Sequence, residues 1–288
     1  MRMNWHIKPE DTKASALRKF QRYLEDQGIR ETTIETYSIY IKRLLNFANT
    51  DNPTRKDVEE FRASLFDRNL SRSTINNHCY AITRYYAMLG EELKLPRLKI
   101  DNTIPYYFDQ DEIIKIFESC SNIKHLAILK TLFYACLRSS ELCNLDDEDL
   151  YLDKLMIRVR CGKGGQDGLV PISQDCTKCL KSYLSIRPEK IIDARQPLFY
   201  TDYGNRWNRQ DISRMFHIYK KVAGITKRGG VHVFARHSSA TLMISRGCSL
   251  NIVQKVLRHR DIRSTLRYAH ASETITRDWY NKTMILEN

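Results

Sequence analysis

Four short clusters hold the side chains of this 288-residue chain that could act on an anionic substrate. Arg138 lies in Tyr134-Ala135-Cys136-Leu137-Arg138-Ser139-Ser140-Glu141-Leu142, just where an apolar run ends. Taken alone it reads as a surface arginine or as the partner of Glu141. Lys163 sits in Cys161-Gly162-Lys163-Gly164-Gly165. Alone it is a charged turn residue, yet glycines without a Cβ let such a tip approach a phosphate backbone closely. It is not a Walker A loop, because no Gly-Lys-Ser/Thr precedes a helix. The third cluster, His232-Val233-Phe234-Ala235-Arg236-His237-Ser238-Ser239-Ala240-Thr241, opens a helix, where free backbone N–H groups favour an anion. The fourth is Leu257-Arg258-His259-Arg260-Asp261, followed by Thr265-Leu266-Arg267-Tyr268-Ala269-His270. A tyrosine nine residues after a histidine, in acid-poor surroundings, has the character of a nucleophile.

The charge balance points the same way. Lys+Arg total 47 against 34 Asp+Glu, a net of +13. Most of that excess falls in Gly204–His270, which holds 14 basic residues and two acids, Asp211 and Asp261. An ordinary solvated surface mixes signs, because like charges repel. Acid depletion over a segment that also has helical periodicity implies a surface facing phosphates.

The elements that must carry these clusters fall into two parts. The first reads as four helices. Asp11 or Thr12 caps a helix with Ala14, Leu17, Phe20 and Leu24 on one face, stopped by Gly28. Thr32 with Glu35 forms a capping box for a helix presenting Ile34, Tyr37, Ile41, Leu44 and Leu45. Thr54 with Asp57 caps a third, and Ser71 or Ser73 starts a fourth that ends at Gly90. Pro96 and Pro105 oppose helix, so a linker is expected over residues 95–105, between a helical domain at 1–94 and a second domain at 106–288.

The second part is mixed but mostly helical. Asp109 caps Glu112–Ser119, and Ile123–Ala135 is an apolar helix. Leu155–Val159 and Leu169–Ile172 flank the glycine-rich turn as a hairpin, with Leu198-Phe199-Tyr200 as a possible third strand. Helices return at Asp211–Ala223, Arg236–Ser245 and Ser249–Leu257.

No apolar run reaches the roughly 18 residues needed to span a membrane. Met1–Lys8 lacks the apolar stretch of a signal peptide. The eight scattered cysteines are therefore expected to be reduced thiols in a cytoplasmic protein. Only Cys176 and Cys179 form a CxxC, and no second ligand pair follows for a structural zinc.

In this order the clusters resemble the tyrosine recombinase/integrase family, in its compact Xer-like or archaeal and phage integrase form. The resemblance runs over nearly the whole chain. It implies two domains, mostly α: an N-terminal four-helix SAM-like core-binding bundle and an α+β catalytic domain with a small antiparallel sheet. By this resemblance Tyr268 is the nucleophile, Arg138 and Arg236 hold the scissile phosphate, Lys163 is the hairpin lysine, and His259 hydrogen-bonds the phosphate. His232 is the implied proton handler, with His237 as second choice. The implied reaction is strand cleavage and rejoining through a 3′-phosphotyrosine and a Holliday junction, without metal or ATP and with no cofactor. The implied partner is double-stranded DNA with a specific site, gripped in a C-shaped clamp by a homotetramer. The tail at 275–288, which contains Trp279, Tyr280, Met284, Ile285 and Leu286, docks on a neighbouring subunit or packs locally. Arg72, Arg206, Arg209, Arg214, Lys227, Arg228, Arg260 and Arg263 are expected along the DNA backbone.

Several positions depart from the family pattern. Cys136 and Arg258 stand where the family commonly has glycine, and Tyr134 is one residue closer to Arg138 than usual. His232 and Arg236 are four apart rather than three, as though Ala235 were an extra residue. Alternatives are a type IB-like topoisomerase, which uses the same covalent chemistry, or a catalytically impaired DNA-binding relative.

Overall fold

A computed structural model describes residues 9–100, 106–160, 167–269 and 280. The chain divides into two compact units, Met1–Asp101 and Asn102–Asn288.

The first unit is built from α1 (Pro9–Asp26), α2 (Glu31–Ala48), α3 (Arg55–Asp67) and α4 (Arg72–Met88). Their apolar faces repeat at helical spacing and close on one core, in which Phe20, Leu24, Ile41, Leu44, Leu45, Val58, Leu65 and Ile82 are fully buried. Thr54 and Asp57 form the expected reciprocal box at the start of α3, and Ser71, rather than Ser73, accepts the Thr74 N–H at the start of α4. Two expected caps differ. Helix α1 is already under way at Pro9, upstream of Asp11 and Thr12. Helix α2 starts at Glu31 with Arg30 in the cap position and no side-chain cap. Thr32 therefore lies inside α2, where its carbonyl accepts from the Thr36 hydroxyl. After α4 the chain runs without regular structure, and Asn76 brackets Leu98 by donating to its carbonyl and accepting its N–H, both at 2.9 Å.

The second unit contains α5 (Gln110–Glu118), α6 (Ile123–Tyr134), α7 (Ser139–Cys143), α8 (Gln174–Ile186), α9 (Arg209–Val222), α10 (Ser239–Ser245), α11 (Leu250–Leu257) and α12 (Arg263–Leu266). Its sheet is antiparallel in the order β1 (Leu150–Tyr151), β2 (Met156–Val159), β3 (Gly168–Pro171). The third strand is thus Leu150–Tyr151 and not Leu198–Tyr200. Leu198 and Phe199 are buried, but this stretch makes only single bridges, at Pro197 with Asp146 and at Tyr200 with Arg206. The helix expected from Arg236 begins earlier, as a π-helical segment from Val233 to Ser238 that runs into α10. Helix α12 was not foreseen.

A large core joins α5, α6, α8, α9 and the sheet through Ile116, Leu129, Leu132, Leu180, Phe216, Ile157 and Val170, with Phe108 and Phe234 beside them. Cys176 and Cys179 belong to that core on α8. A smaller cluster gathers Cys136, Ala240, Ile244, Val253, Leu257 and Tyr268. Among the described residues no helix is long and apolar enough to cross a membrane.

Candidate active site

The site is assembled where two chain reversals meet. Helix α6 ends at Tyr134, and the chain turns through Cys136 in a left-handed conformation, φ 50°. Helix α11 ends at Leu257 and turns through Arg258, φ 52°. Glycine adopts that conformation freely, whereas an L-residue is strained there. The resemblance implies glycine at both positions, and the turns hold this conformation here with side chains present.

Arg236 ties the two turns together. Its guanidinium donates to the carbonyl of Cys136 at 2.6 Å and to that of Leu257 at 2.5 Å. It is only 1 % exposed. Burial, and then Arg138, push its pKa down to about 10, which leaves it cationic at neutral pH. The π segment explains how Arg236 reaches this place. A π turn closes its hydrogen bonds one residue later than an α turn and so absorbs one extra residue. The added residue between His232 and Arg236 is accommodated there, with Ala235 fully buried.

Arg138 precedes α7 and is fixed by Glu141. Its backbone N–H donates to Glu141 Oε2 at 2.7 Å, and its guanidinium to Oε1 at 2.6 Å. Arg258 donates to the same carboxylate at 2.5 Å. Burial alone would raise the Glu141 pKa, but Arg258 and Arg138 pull it below the ordinary carboxylate value. One buried anion therefore holds two arginines.

Tyr268 follows α12 and is 3 % exposed. Its hydroxyl lies 2.6 Å from Nδ1 of His237. With the imidazole proton on Nε2, the phenol donates and His237 accepts. His232 meets His237 edge-on, ring centroids 4.9 Å apart, and its own ring reaches Tyr268 in no contact among the described residues. The histidine at the Tyr268 hydroxyl is His237, whereas the resemblance implied His232 as the proton handler. His259 is half-buried, with Nδ1 2.9 Å from the Thr265 hydroxyl.

The electrostatics of the cluster are one-sided. Burial first, then neighbouring positive groups, lowers all three histidines: His237 and His259 to about 4, and His232 in the same direction. Arg267, exposed and next to Tyr268, contributes to each shift. Burial raises the Tyr268 pKa while Arg236 and Arg267 oppose that rise. At neutral pH the cluster is thus neutral imidazoles in a permanent guanidinium field. Such a field suits a bound phosphodiester, whose negative charge arginine forks can meet bidentately.

Lys163 and the glycines beside it lie outside the described residues, as does the tail at 275–288 apart from Tyr280. Strands β2 and β3, which flank the Lys163 turn, pair Val159 with Gly168 and Ile157 with Val170.

The arginines expected on DNA divide by their partners. Arg206 is turned inward instead, its guanidinium 2.5 Å from the buried Asp146, because that carboxylate needs cations to offset its desolvation. Lys227 pairs with Glu112 at 2.5 Å. Arg214 and Arg263 make exposed pairs with Asp211 and Asp261, and Arg72 donates to the Lys99 carbonyl at 3.2 Å. Arg209, Arg228 and Arg260 are exposed with no carboxylate partner among the described residues. Sequence reasoning missed Thr265 and Arg267, although acid depletion around Tyr268 was a signal for the latter.

The profile of the phage integrase family matches residues 107–274, and that of a phage integrase N-terminal SAM-like domain matches residues 17–94. Tyrosine recombinase XerA of Pyrococcus horikoshii is 31 % identical over 284 residues, covering 96 % of this chain and 96 % of that protein. The crystal structure of XerA recombinase is similar with a TM-score of 0.57 at 27 % identity, over 96 % of this chain and 100 % of that one. The Tn1549 transposon integrase, solved in complex with circular intermediate DNA, gives a TM-score of 0.74 at 20 % identity, over 93 % of this chain and 99 % of that one, a likeness of fold.

Proposed function

The chain belongs to the phage integrase family, the tyrosine recombinases, and from that premise we propose that it cleaves and rejoins DNA at a specific site with Tyr268 as its nucleophile. The observation that carries the residue assignment is the Tyr268 hydroxyl held against His237 in a field set by Arg236 and Arg267.

In the proposed step the Tyr268 oxygen attacks phosphorus, and its proton passes to Nδ1 of His237. The bond from phosphorus to the 5′-oxygen breaks, and that oxygen takes a proton from Lys163. Arg138 and Arg236 stabilise charge on the non-bridging oxygens, and His259 adds a hydrogen bond to one of them. Arg236 spends one donor on each turn carbonyl and keeps three for phosphate. Its near-complete burial means that neighbouring side chains part as the phosphate enters. The phosphotyrosine conserves the energy of the broken ester, so rejoining needs no nucleotide. No step calls for a metal or cofactor.

The substrate in this reading is double-stranded DNA. Arg209, Arg228 and Arg260, with the more loosely paired Arg214 and Arg263, track its phosphates, which makes affinity fall with salt. Recombination joins two duplexes, so four protomers assemble. The groove of about 330 Å³ lined by Ile113, Phe117, Leu242 and Met243 is an apolar surface on which the Trp279, Ile285 and Leu286 side chains of the tail could dock, from a neighbouring subunit or in cis. Free thiols at the described cysteines fit a reducing, cytoplasmic setting. In this reading residues 1–94 grip DNA and residues 106–288 carry the chemistry.

The test is exchange between two marked sites on separate duplexes. Recombinant products support the reading. Relaxation of supercoils with no exchange favours the topoisomerase alternative instead.

A further inference from the structure

We propose that Arg258 is a positioning residue, tying the turn before His259 to Arg138 and to the foot of the hairpin that bears Lys163. This rests on the proposed recombinase reading and deepens it.

Arg258 has no place in the chemical step, yet it reaches the elements that supply three of its residues. Its backbone leads directly into His259. Its guanidinium donates at 2.5 Å to Glu141 Oε2, the oxygen that also accepts the Arg138 N–H, while Oε1 accepts from the Arg138 guanidinium. Its stem crosses the start of β3, and a Cβ built on Gly168 would stand 3.1 Å from Arg258 Cδ. Gly168 thus leaves the room through which the Arg258 stem passes. The side chain is only 13 % exposed.

The backbone makes this arrangement informative. Arg258 sits at φ 52°, a conformation that glycine adopts without cost and an L-residue does not. A strained residue persists where surrounding contacts hold it. Here those contacts are the shared carboxylate, the Val256 carbonyl at 3.2 Å and the hairpin foot. Without Arg258, Glu141 keeps one cation instead of two and Arg138 loses the far anchor of its partner. The Arg138 guanidinium then samples positions off the scissile phosphate. Small misplacements of a phosphate-binding group are costly in rate.

The experiment compares wild type, Arg258→Met and Arg258→Gly on a nicked suicide duplex at saturating protein. It measures the single-turnover rate of covalent adduct, DNA affinity and the thermal midpoint. Met keeps the stem but not the charge. Gly relieves the strain and so secures a folded variant. The proposal expects both to form adduct about 10- to 100-fold more slowly, with DNA affinity unchanged and the Gly variant melting no lower than the Met variant. In a Glu141→Gln background, where the shared anion is gone, Arg258→Met is expected to add little further loss. Wild-type adduct rates in either single variant overturn the proposal. So does an equal loss from Arg258→Met with and without Glu141. Failure of the recombinase reading looks different: wild type itself then forms no adduct.

Discussion

The Tyr268 hydroxyl and Nδ1 of His237 stand 2.6 Å apart, joined across 31 residues of chain. If His237 takes the phenol proton, His237→Gln slows adduct formation about 10²-fold or more at neutral pH. The variant then gains rate steadily as pH rises, because hydroxide must remove the proton of a phenol whose pKa burial has raised. Single-turnover cleavage from pH 6 to 9 checks this. A variant profile parallel to that of wild type means the proton leaves by another route.

The π segment accounts for which histidine stands at the Tyr268 hydroxyl. Arg236 and His237 are anchored downstream of Ala235, on Cys136, Leu257 and Tyr268. Deleting Ala235 should turn the segment into an ordinary α turn and rotate His232 toward the site, while those anchors persist. Adduct formation then survives the deletion, and His237→Gln costs less in the shortened protein than in wild type. Equal costs in the two backgrounds contradict the idea that the extra residue displaced His232.

Much of this was legible in the sequence. The apolar spacing of Phe20 with Leu24, and of Ile41 with Leu44 and Leu45, specified helices and their buried faces together. Thr54 with Asp57, and Asp109, marked helix starts, since a cap is a local interaction. Arg138, Arg236, His259 and Tyr268 were singled out by the family resemblance, and the fold brings them into one cluster. What stayed hidden depends on tertiary pairing or short segments. Strand β1 is two residues long and carries no alternation to read. The Tyr268–His237 pairing hinges on a π turn, whose only trace was a spacing of four in place of three. Arg206 looked like a DNA contact because Asp146, its partner, is 60 residues away.

Acid should weaken the fold through the site. His237 and His259 have folded pKa values of about 4, below the unfolded value of about 6.5. Between those values the unfolded chain binds more protons, so stability rises with pH there. The stability from keeping these rings neutral is complete above about pH 6.5 and is lost as pH falls toward 4. Urea unfolding at pH 7 and pH 5 should show this loss, and His237→Gln with His259→Gln should shrink it. An unchanged pH dependence in the double variant contradicts the assignment.

Arg236 has a structural task beside the chemical one proposed for it. Arg236→Ala leaves the carbonyls of Cys136 and Leu257 without their donor. We expect a stability loss of about 2 kcal/mol or more and a cleavage rate about 10²- to 10³-fold lower. Urea midpoints and single-turnover rates, taken on the same preparation, read both effects. A variant that cleaves normally removes Arg236 from the phosphate site.

The most direct measurement is the covalent adduct itself. Wild type and Tyr268→Phe are incubated with a nicked suicide duplex bearing the recombination site, resolved on a denaturing gel, and the adduct is mapped by peptide mass. The account predicts a DNA-linked wild-type band whose modified peptide contains Tyr268, and no band for Tyr268→Phe although that variant still binds the duplex. An adduct that persists in Tyr268→Phe, or that maps to another residue, contradicts it.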